Sequence, residues 1–498
     1  MNAAVIGAGL GGLAAAIRLA KMGVEVDLFE QNNFAGGKAG EIVKDGFRFD
    51  TGPSLLTMPF VLDDLIEFAG EKRADHFQFE PLEIICKYFY SDKSEIIAYS
   101  DADKFCREIE NKTIDSAASI RKFLKYSENI YELTKDIFLF SSLAELDTYT
   151  NAKAVKTFLK LGSIDPLRNM HSSLKRFFKD PKTLQLFDRY ATYNGSNPYK
   201  APATLNVIPH VEYNLGGFLP KGGINQITKS LQKIADNLGV FMHFGTKVLG
   251  IEVDNNRVKG VKFRGLRADH VKKFDIVISN SDVLNTYKYL LNDELSAESK
   301  KYKNLEPSSS GLVYYWGVKG NYPELAVHNI LFSKNYRSEF DQLFDQKKIP
   351  LDPTTYIYVS SKLNKNDAPE GFENWFVMIN TPYHTDQNWE VEKEIAKERV
   401  IDKINNMFGI NLRKQIVFEE VLTPDKIQTD TSSSYGSIYG ISSNSKSAAF
   451  LRQSNKSKKY KGLYFVGGSA HPGGGIPLVL LSAKITSELI KKYEIAGD

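Results

Sequence analysis

The sequence predicts an α/β protein of interwoven lobes, and three observations predict it. Residues 1–30 run strand, glycine turn, helix, strand. Residues 462–493 repeat strand, glycine-rich loop and helix. Between them a helix-rich stretch gives way to a strand-rich one, with no repeat and no low-complexity linker. Strand, helix and strand within about 30 residues make a βαβ unit and hence parallel pairing.

The elements follow in order. Ala3 to Ile6 is a short apolar run ended by glycine, which predicts a buried strand. From Gly11 to Met22, Leu13, Ala16, Ile17 and Ala20 recur at helical spacing, and Val24 to Glu30 is strand-like again. Asp101 to Phe187 is mostly helical in pattern. Ile224 to Leu238 predicts an amphipathic helix with Ile227, Leu231 and Ile234 on one face. Val248 to Val253 and Val258 to Phe263 read as a hairpin joined by Asp254-Asn255-Asn256, and Asp275 to Ser279 as another buried strand. Leu312 to Trp316, Tyr356 to Ser360 and Trp375 to Ile379 are strand-like. Gly462 to Val466 is the last strand and Leu478 to Tyr493 the last helix.

Composition sets limits. With 498 residues, at about 150 per domain, some three lobes are expected. Hydrophobic residues at 42% and charged residues at 25% exclude a disordered or fibrous chain. A net charge of +4 gives no ground for a nucleic-acid partner, and none is expected. Two cysteines, Cys86 and Cys106, exclude a disulfide scaffold and a cysteine-rich metal site, and they suit a reducing compartment. The eight histidines show no metal spacing. The apolar start lacks the basic residues of a secretory signal, and no run of 18 apolar residues occurs. A soluble or peripheral cytoplasmic protein is the expectation. The 25 Tyr and 31 Phe could line an apolar cavity.

Gly7, Gly9 and Gly12 spell G-x-G-x-x-G at a strand–helix join. The first permits the turn, the second admits a pyrophosphate to the backbone, and the third lets helix and strand pack closely. Glu30 ends the next strand, 18 residues after Gly12, where a carboxylate can accept from ribose hydroxyls and would repel a 2′-phosphate. A tight turn with an incidental acid is the plainer reading, and the βαβ context favours a dinucleotide. Gly36-Gly37-Lys38-Ala39-Gly40 and Gly46-Phe47-Arg48-Phe49-Asp50-Thr51-Gly52-Pro53 suit a longer cofactor or a plain hairpin equally. Gly467-Gly468-Ser469-Ala470-His471-Pro472-Gly473-Gly474-Gly475-Ile476-Pro477 adds five glycines before a helix, again describing backbone approach to an extended ligand.

These segments, with Lys221-Gly222-Gly223-Ile224 and Asp275-Ile276-Val277-Ile278-Ser279-Asn280, resemble the phytoene (carotenoid) desaturase family of FAD-dependent oxidoreductases from end to end. The resemblance implies a Rossmann-like FAD-binding lobe interwoven with a mixed-sheet substrate lobe and a helical membrane-facing region. It places FAD contacts at Gly7, Gly9, Gly12, Glu30, Gly37, Lys38, Val248, Gly468, Gly475 and Ile476. The FAD lobe is expected from 1–75, 205–290 and 425–498. The substrate lobe is expected from 76–204 and 291–424, with 101–200 as its helical lid. Lys38 stands where the family often has Arg, which would cost the planar phosphate fork. Leu478 stands where phytoene desaturases commonly have Gly. That departure resembles the branch acting on diapocarotenoids and hydroxycarotenoids, and a 3,4-desaturase of 1-hydroxycarotenoids is the narrow expectation.

A carotenoid is therefore the expected substrate, held in a long aromatic tunnel, with any polar end group met by a polar side chain at the closed end. Quinone or oxygen is the expected electron acceptor. The alternatives are a phytoene or diapophytoene desaturase, a carotenoid isomerase or oxidase, an amine oxidase-like flavoenzyme, or a non-catalytic prenyl-binding protein. No catalytic residue is assigned. His471 reads as a ring packed over the flavin or bonded to a carbonyl rather than as a base. No G-x-S-x-G surrounds Ser469, which leaves a serine hydrolase unsupported. Residues 151–190 hold nine Lys or Arg against three Asp, interleaved with Phe158, Leu159, Leu161, Leu174, Phe177 and Phe178. An ordinary solvated face fits that pattern. For a lipid-soluble substrate, a basic amphipathic helix lying on the membrane fits better.

Overall fold

The computed structural model describes residues 1–150, 164–165, 167–265, 268–445 and 452–496. Its first layer is a five-stranded, all-parallel sheet in the order Leu463–Phe465, Ile276–Ser279, Asn2–Ile6, Glu25–Phe29, Phe241–His243. Successive side chains of a strand point to opposite faces, and here both faces are covered. Ala3, Val5, Ile276, Ile278 and Tyr464 join the core beneath the helices Leu10–Lys21, Asn225–Asn237 and Ile476–Ile490. Ala4, Ile6, Val277, Leu463 and Phe465 face the antiparallel sheet Val248–Asp254, Arg257–Arg264 and Asp269–Lys273. The helix after the first glycine turn lies close to its sheet because Ala14, Ala15 and Ala16 keep it thin.

The second layer is a seven-stranded mixed sheet. Its order is Ile416–Leu422, Ser310–Lys319, Phe372–Thr381, Thr355–Tyr358, His328–Leu331, Ile84–Phe89, Glu95–Tyr99. Leu312, Tyr314 and Trp316, with Trp375, Val377 and Ile379, pack one face against Trp389, Val400 and Ile404 of the helix Trp389–Phe408. Val313, Tyr315, Phe376 and Met378 alternate onto the other face, which looks toward the parallel sheet. That alternation makes one side structural and the other a cavity wall.

The described part of 101–187 is mostly helical as expected, chiefly Ala102–Lys112 and Ala117–Phe138. Two apolar residues of the basic stretch 151–190 do not face outward. Leu174 and Phe178 are buried, and Phe178 stacks on Phe187 and meets Phe123 edge-on, because short helices at Met170–Leu174 and Pro181–Asp188 turn them inward. Lys175, Arg176 and Lys179 stay exposed. Among the described residues the face they mark is basic, with Phe177 half-buried beside it. Phe158, Leu159 and Leu161 lie outside the described residues. No helix among the described residues is long and apolar enough to cross a membrane.

Candidate functional site

A cavity of about 1750 Å³ lies between the two sheets. One end is built by glycines. A Cβ on Gly12 would come within 2.0 Å of the Gly7 carbonyl oxygen, so the helix can rest on the turn only if residue 12 has no side chain. Gly9 is crowded only by the Asn280 amide. The helix that Gly9 opens has no side-chain cap and no acid in its first turn, leaving unpaired N–H groups and a positive dipole end for an anion. The Gly36-Gly37 turn bridges to Gly9, with the Gly36 N–H donating to the Ala8 carbonyl at 2.9 Å. The helix Ile476–Ile490 also starts without a side-chain cap. Gly475 before it has φ +106° and open space where a Cβ would stand.

Asn280 joins these turns. It follows the strand Ile276–Ser279, donates from Nδ2 to the Gly7 carbonyl at 3.2 Å, and fills the space that side chains on Gly9, Gly11 or Gly467 would need. Glu30 is 6% exposed; one carboxylate oxygen accepts from the Ala8 N–H at 2.8 Å and the other from the Asn32 N–H at 2.9 Å. Each oxygen keeps a lone pair for a further donor.

Of the sequence-predicted residues, Gly7, Gly9, Glu30, Gly37, Lys38, Val248, Gly468, Gly475 and Ile476 line this cavity. Gly12 lies behind it, beneath Gly7. Val248 opens its strand opposite Phe263, beside Thr246 and Lys247 on the cavity wall. Leu478 is half-buried on the wall next to the glycine loop. Lys38 donates to the carbonyls of Ser437 at 3.1 Å and Ile438 at 2.8 Å, fastening the second glycine turn to the segment after Ser434–Gly436. Burial pushes its ammonium down to about 8, opposed by the nearby Asp282 carboxylate.

Several residues were not singled out by the sequence. Arg452, 8% exposed, donates to the carbonyls of Tyr439, Gly468 and Ile441 and so holds the C-terminal loop open. A buried Arg189–Glu212 pair at 2.8 Å and His328 also face the cavity. Their signal in sequence is faint, since each stands in a segment without a motif. His471 donates from Nε2 to the Ser141 carbonyl at 3.0 Å, which agrees with a structural ring rather than a base. Among the described residues no cluster of His, Cys, Asp or Glu could hold a metal.

The buried histidines set an acid limit. Burial holds His471 down to about 4 and His328 down to about 3, in the second case helped by the Arg189 charge. Both are neutral in the fold, while in the unfolded chain each takes a proton near 6.5. Their contribution is complete above pH 6.5 and is lost as pH falls toward 4 and then 3. Urea midpoints should drop steeply between pH 6.5 and 4, and His471→Gln should flatten that slope. A variant with the wild-type slope would contradict the assignment.

The comparisons with known proteins agree with this geometry. Residues 10–491 match the family of flavin containing amine oxidoreductases. Over 98% of its length the chain is 44% identical to a 1-hydroxycarotenoid 3,4-desaturase of Flavobacterium sp. (strain P99-3), covering 99% of that protein. It is 33% identical, over 98% of its length and 97% of the relative, to a 4,4'-diaponeurosporene oxygenase of Staphylococcus haemolyticus. An oxidoreductase from Methanosarcina mazei shares the fold at 17% identity and a TM-score of 0.65, over 98% of this chain and all of that one. The uncapped helix, the glycine cradle and the Glu30 carboxylate fit the pyrophosphate and ribose of a dinucleotide, and the chain belongs to the flavin-containing amine oxidoreductase family, within its FAD-dependent carotenoid desaturases.

Proposed function

We propose that the protein desaturates a hydroxylated carotenoid, introducing the 3,4 double bond of a 1-hydroxycarotenoid. One observation carries the reading: the glycine cradle and a run of apolar side chains line the same cavity. Leu205 and Ile208 from the helical region and Val313, Phe376 and Met378 from the mixed sheet all line it. A relative of the same length and 44% identity bears that activity in its name.

FAD, when bound, supplies a two-electron acceptor for the hydride of an allylic carbon, while a proton leaves the neighbouring carbon. The chain's own residues bind, orient and exclude water. Gly7, Gly9 and the start of the helix Leu10–Lys21 would hold the pyrophosphate, Glu30 the ribose, and the loop from Gly468 to Ile476 with Leu478 the flavin side of the junction. A rigid polyene gains about 25 cal/mol per Å² buried without any polar group to orient it. We assign 1–75, 205–290 and 425–498 to the FAD lobe and 76–204 with 291–424 to the substrate lobe. The substrate dissolves in lipid, and Lys175, Arg176 and Lys179 are exposed together, so peripheral attachment by charge is part of the proposal. Quinone or oxygen would reoxidise the flavin.

Three outcomes test this. Gly9→Leu should block flavin retention and Glu30→Ala should weaken it about tenfold or more, read from the visible flavin band after gel filtration. Retention at the wild-type level in both would remove the cradle assignment. Reconstituted enzyme offered phytoene and a 1-hydroxycarotenoid in liposomes should convert the hydroxylated substrate. Conversion of phytoene alone would reject the narrow substrate and keep the family. Co-sedimentation with anionic liposomes should fall when Lys175, Arg176 and Lys179 become Glu, at about 1 kcal/mol per charge before screening. Unchanged sedimentation would place attachment elsewhere.

A further inference from the structure

On the stretch of cavity wall built by Val313, Tyr315, Phe376 and Met378, a cluster of polar side chains stands beside the segment that follows the second glycine turn. On the sheet side, His328 and Tyr356 stand on adjacent antiparallel strands, with the Tyr356 hydroxyl 2.7 Å from His328 Nδ1 and 2.6 Å from the Ser54 hydroxyl. Ser54 follows Thr51-Gly52-Pro53. A Cβ on Gly52 would come within 2.2 Å of the Lys38 carbonyl oxygen, so this segment abuts the second glycine turn. On the helical side, Arg189 donates to Glu212 at 2.8 Å and to the Tyr88 hydroxyl at 2.6 Å, and Tyr193 donates to the second Glu212 oxygen. Ser54, His328, Tyr356, Arg189, Glu212 and Tyr193 all line the cavity.

The two sides differ in what they leave unspent. Arg189 and Glu212 bond to one another and to the surrounding tyrosines, so the pair brings two charges to the wall already engaged with neighbours. His328 is 3% exposed, and its Nε2 has no hydrogen-bond partner. A neutral imidazole has one N–H and one lone pair. If the Tyr356 hydroxyl donates to Nδ1, Nε2 carries the proton and donates. If Nδ1 donates to Tyr356, Nε2 accepts and the chain reverses through Ser54. An alcohol both donates and accepts, so it meets either state. A carboxylate would face Glu212, and an ammonium would face Arg189. The wall therefore matches a neutral hydroxyl.

Position agrees with chemistry. In a 1-hydroxycarotenoid the hydroxyl carbon is two bonds from the carbon at which a 3,4 double bond begins. The group that reads it must stand close to the reacting bond, in the same cavity that holds the cradle. We propose that His328, Tyr356 and Ser54 form the hydroxyl subsite, with Arg189 and Glu212 as positioning residues that hold the helical wall against it. The inference rests on the reading of the substrate as a hydroxylated carotenoid.

The test separates the two. Flavin-loaded protein is equilibrated with mixed micelles holding equal amounts of a 1-hydroxycarotenoid and its non-hydroxylated counterpart of the same polyene length. Bound pigment is then separated by chromatography and expressed as an enrichment ratio, and turnover of each substrate is measured in parallel. Wild type should enrich the hydroxylated form about tenfold or more, and Tyr356→Phe and His328→Leu should bring the ratio close to unity. Persistent enrichment in both variants with flavin bound, or none in wild type, overturns the subsite. Enrichment in wild type without conversion of the hydroxylated form overturns the proposed reaction and leaves the subsite standing. Should His328→Leu lose its flavin, Tyr356→Phe decides, since it removes one oxygen atom.

Discussion

The close approach of backbone to backbone around Asn280 is the constraint on which the site depends. Asn280 sits where the first strand's turn and the C-terminal loop converge, and glycines at 9, 11 and 467 leave the room it fills. The parallel sheet brings these segments together from opposite ends of the sequence, because Asn2–Ile6 and Leu463–Phe465 flank Ile276–Ser279. A nucleotide bound there would meet backbone N–H groups and helix ends instead of side chains. Gly36, Lys38 and Arg452 then lock the neighbouring loops by bonding to carbonyls, so the cradle is held from behind.

The mixed sheet solves a different problem. A polyene offers almost nothing for a polar group to grip, and a polar wall would be costly to dry. Alternation along Ser310–Lys319 and Phe372–Thr381 sends Trp316 and Trp375 into the structural core and leaves Tyr315 and Phe376 for the cavity. Against that background a buried histidine with a free nitrogen is conspicuous, since unpaired polar atoms are expensive in an apolar interior. Its cost is offset when a hydroxyl arrives.

Much of the cradle was legible in the sequence because glycine motifs describe local geometry. The turn at Gly7, the helix from Leu10, the hairpin at Asn255 and the final loop each follow from a few adjacent residues. The helix Trp389–Phe408 was not foreseen, although Ala396, Val400 and Ile404 repeat at helical spacing, because charged residues dominate its pattern. The pairing of Ile84–Phe89 with His328–Leu331 and that of His328 with Tyr356 join segments apart in sequence. Phe178 misled for the same reason: beside lysines it resembled a lipid face, and only the packing of Phe123 and Phe187 shows it turned inward. Lys38 was read as a phosphate ligand by motif, while its hydrogen bonds run to carbonyls near 400 residues away in sequence.

The central claim is that cradle and tunnel meet so that the polyene's electrons pass directly to the flavin. Anaerobic mixing of oxidised holoenzyme with one equivalent of a 1-hydroxycarotenoid, followed by rapid visible spectroscopy, tests this most directly. The account predicts bleaching of the flavin band at the same rate as the red shift of the polyene, with one flavin reduced for each double bond formed. A red-shifted polyene with the flavin still oxidised would contradict it.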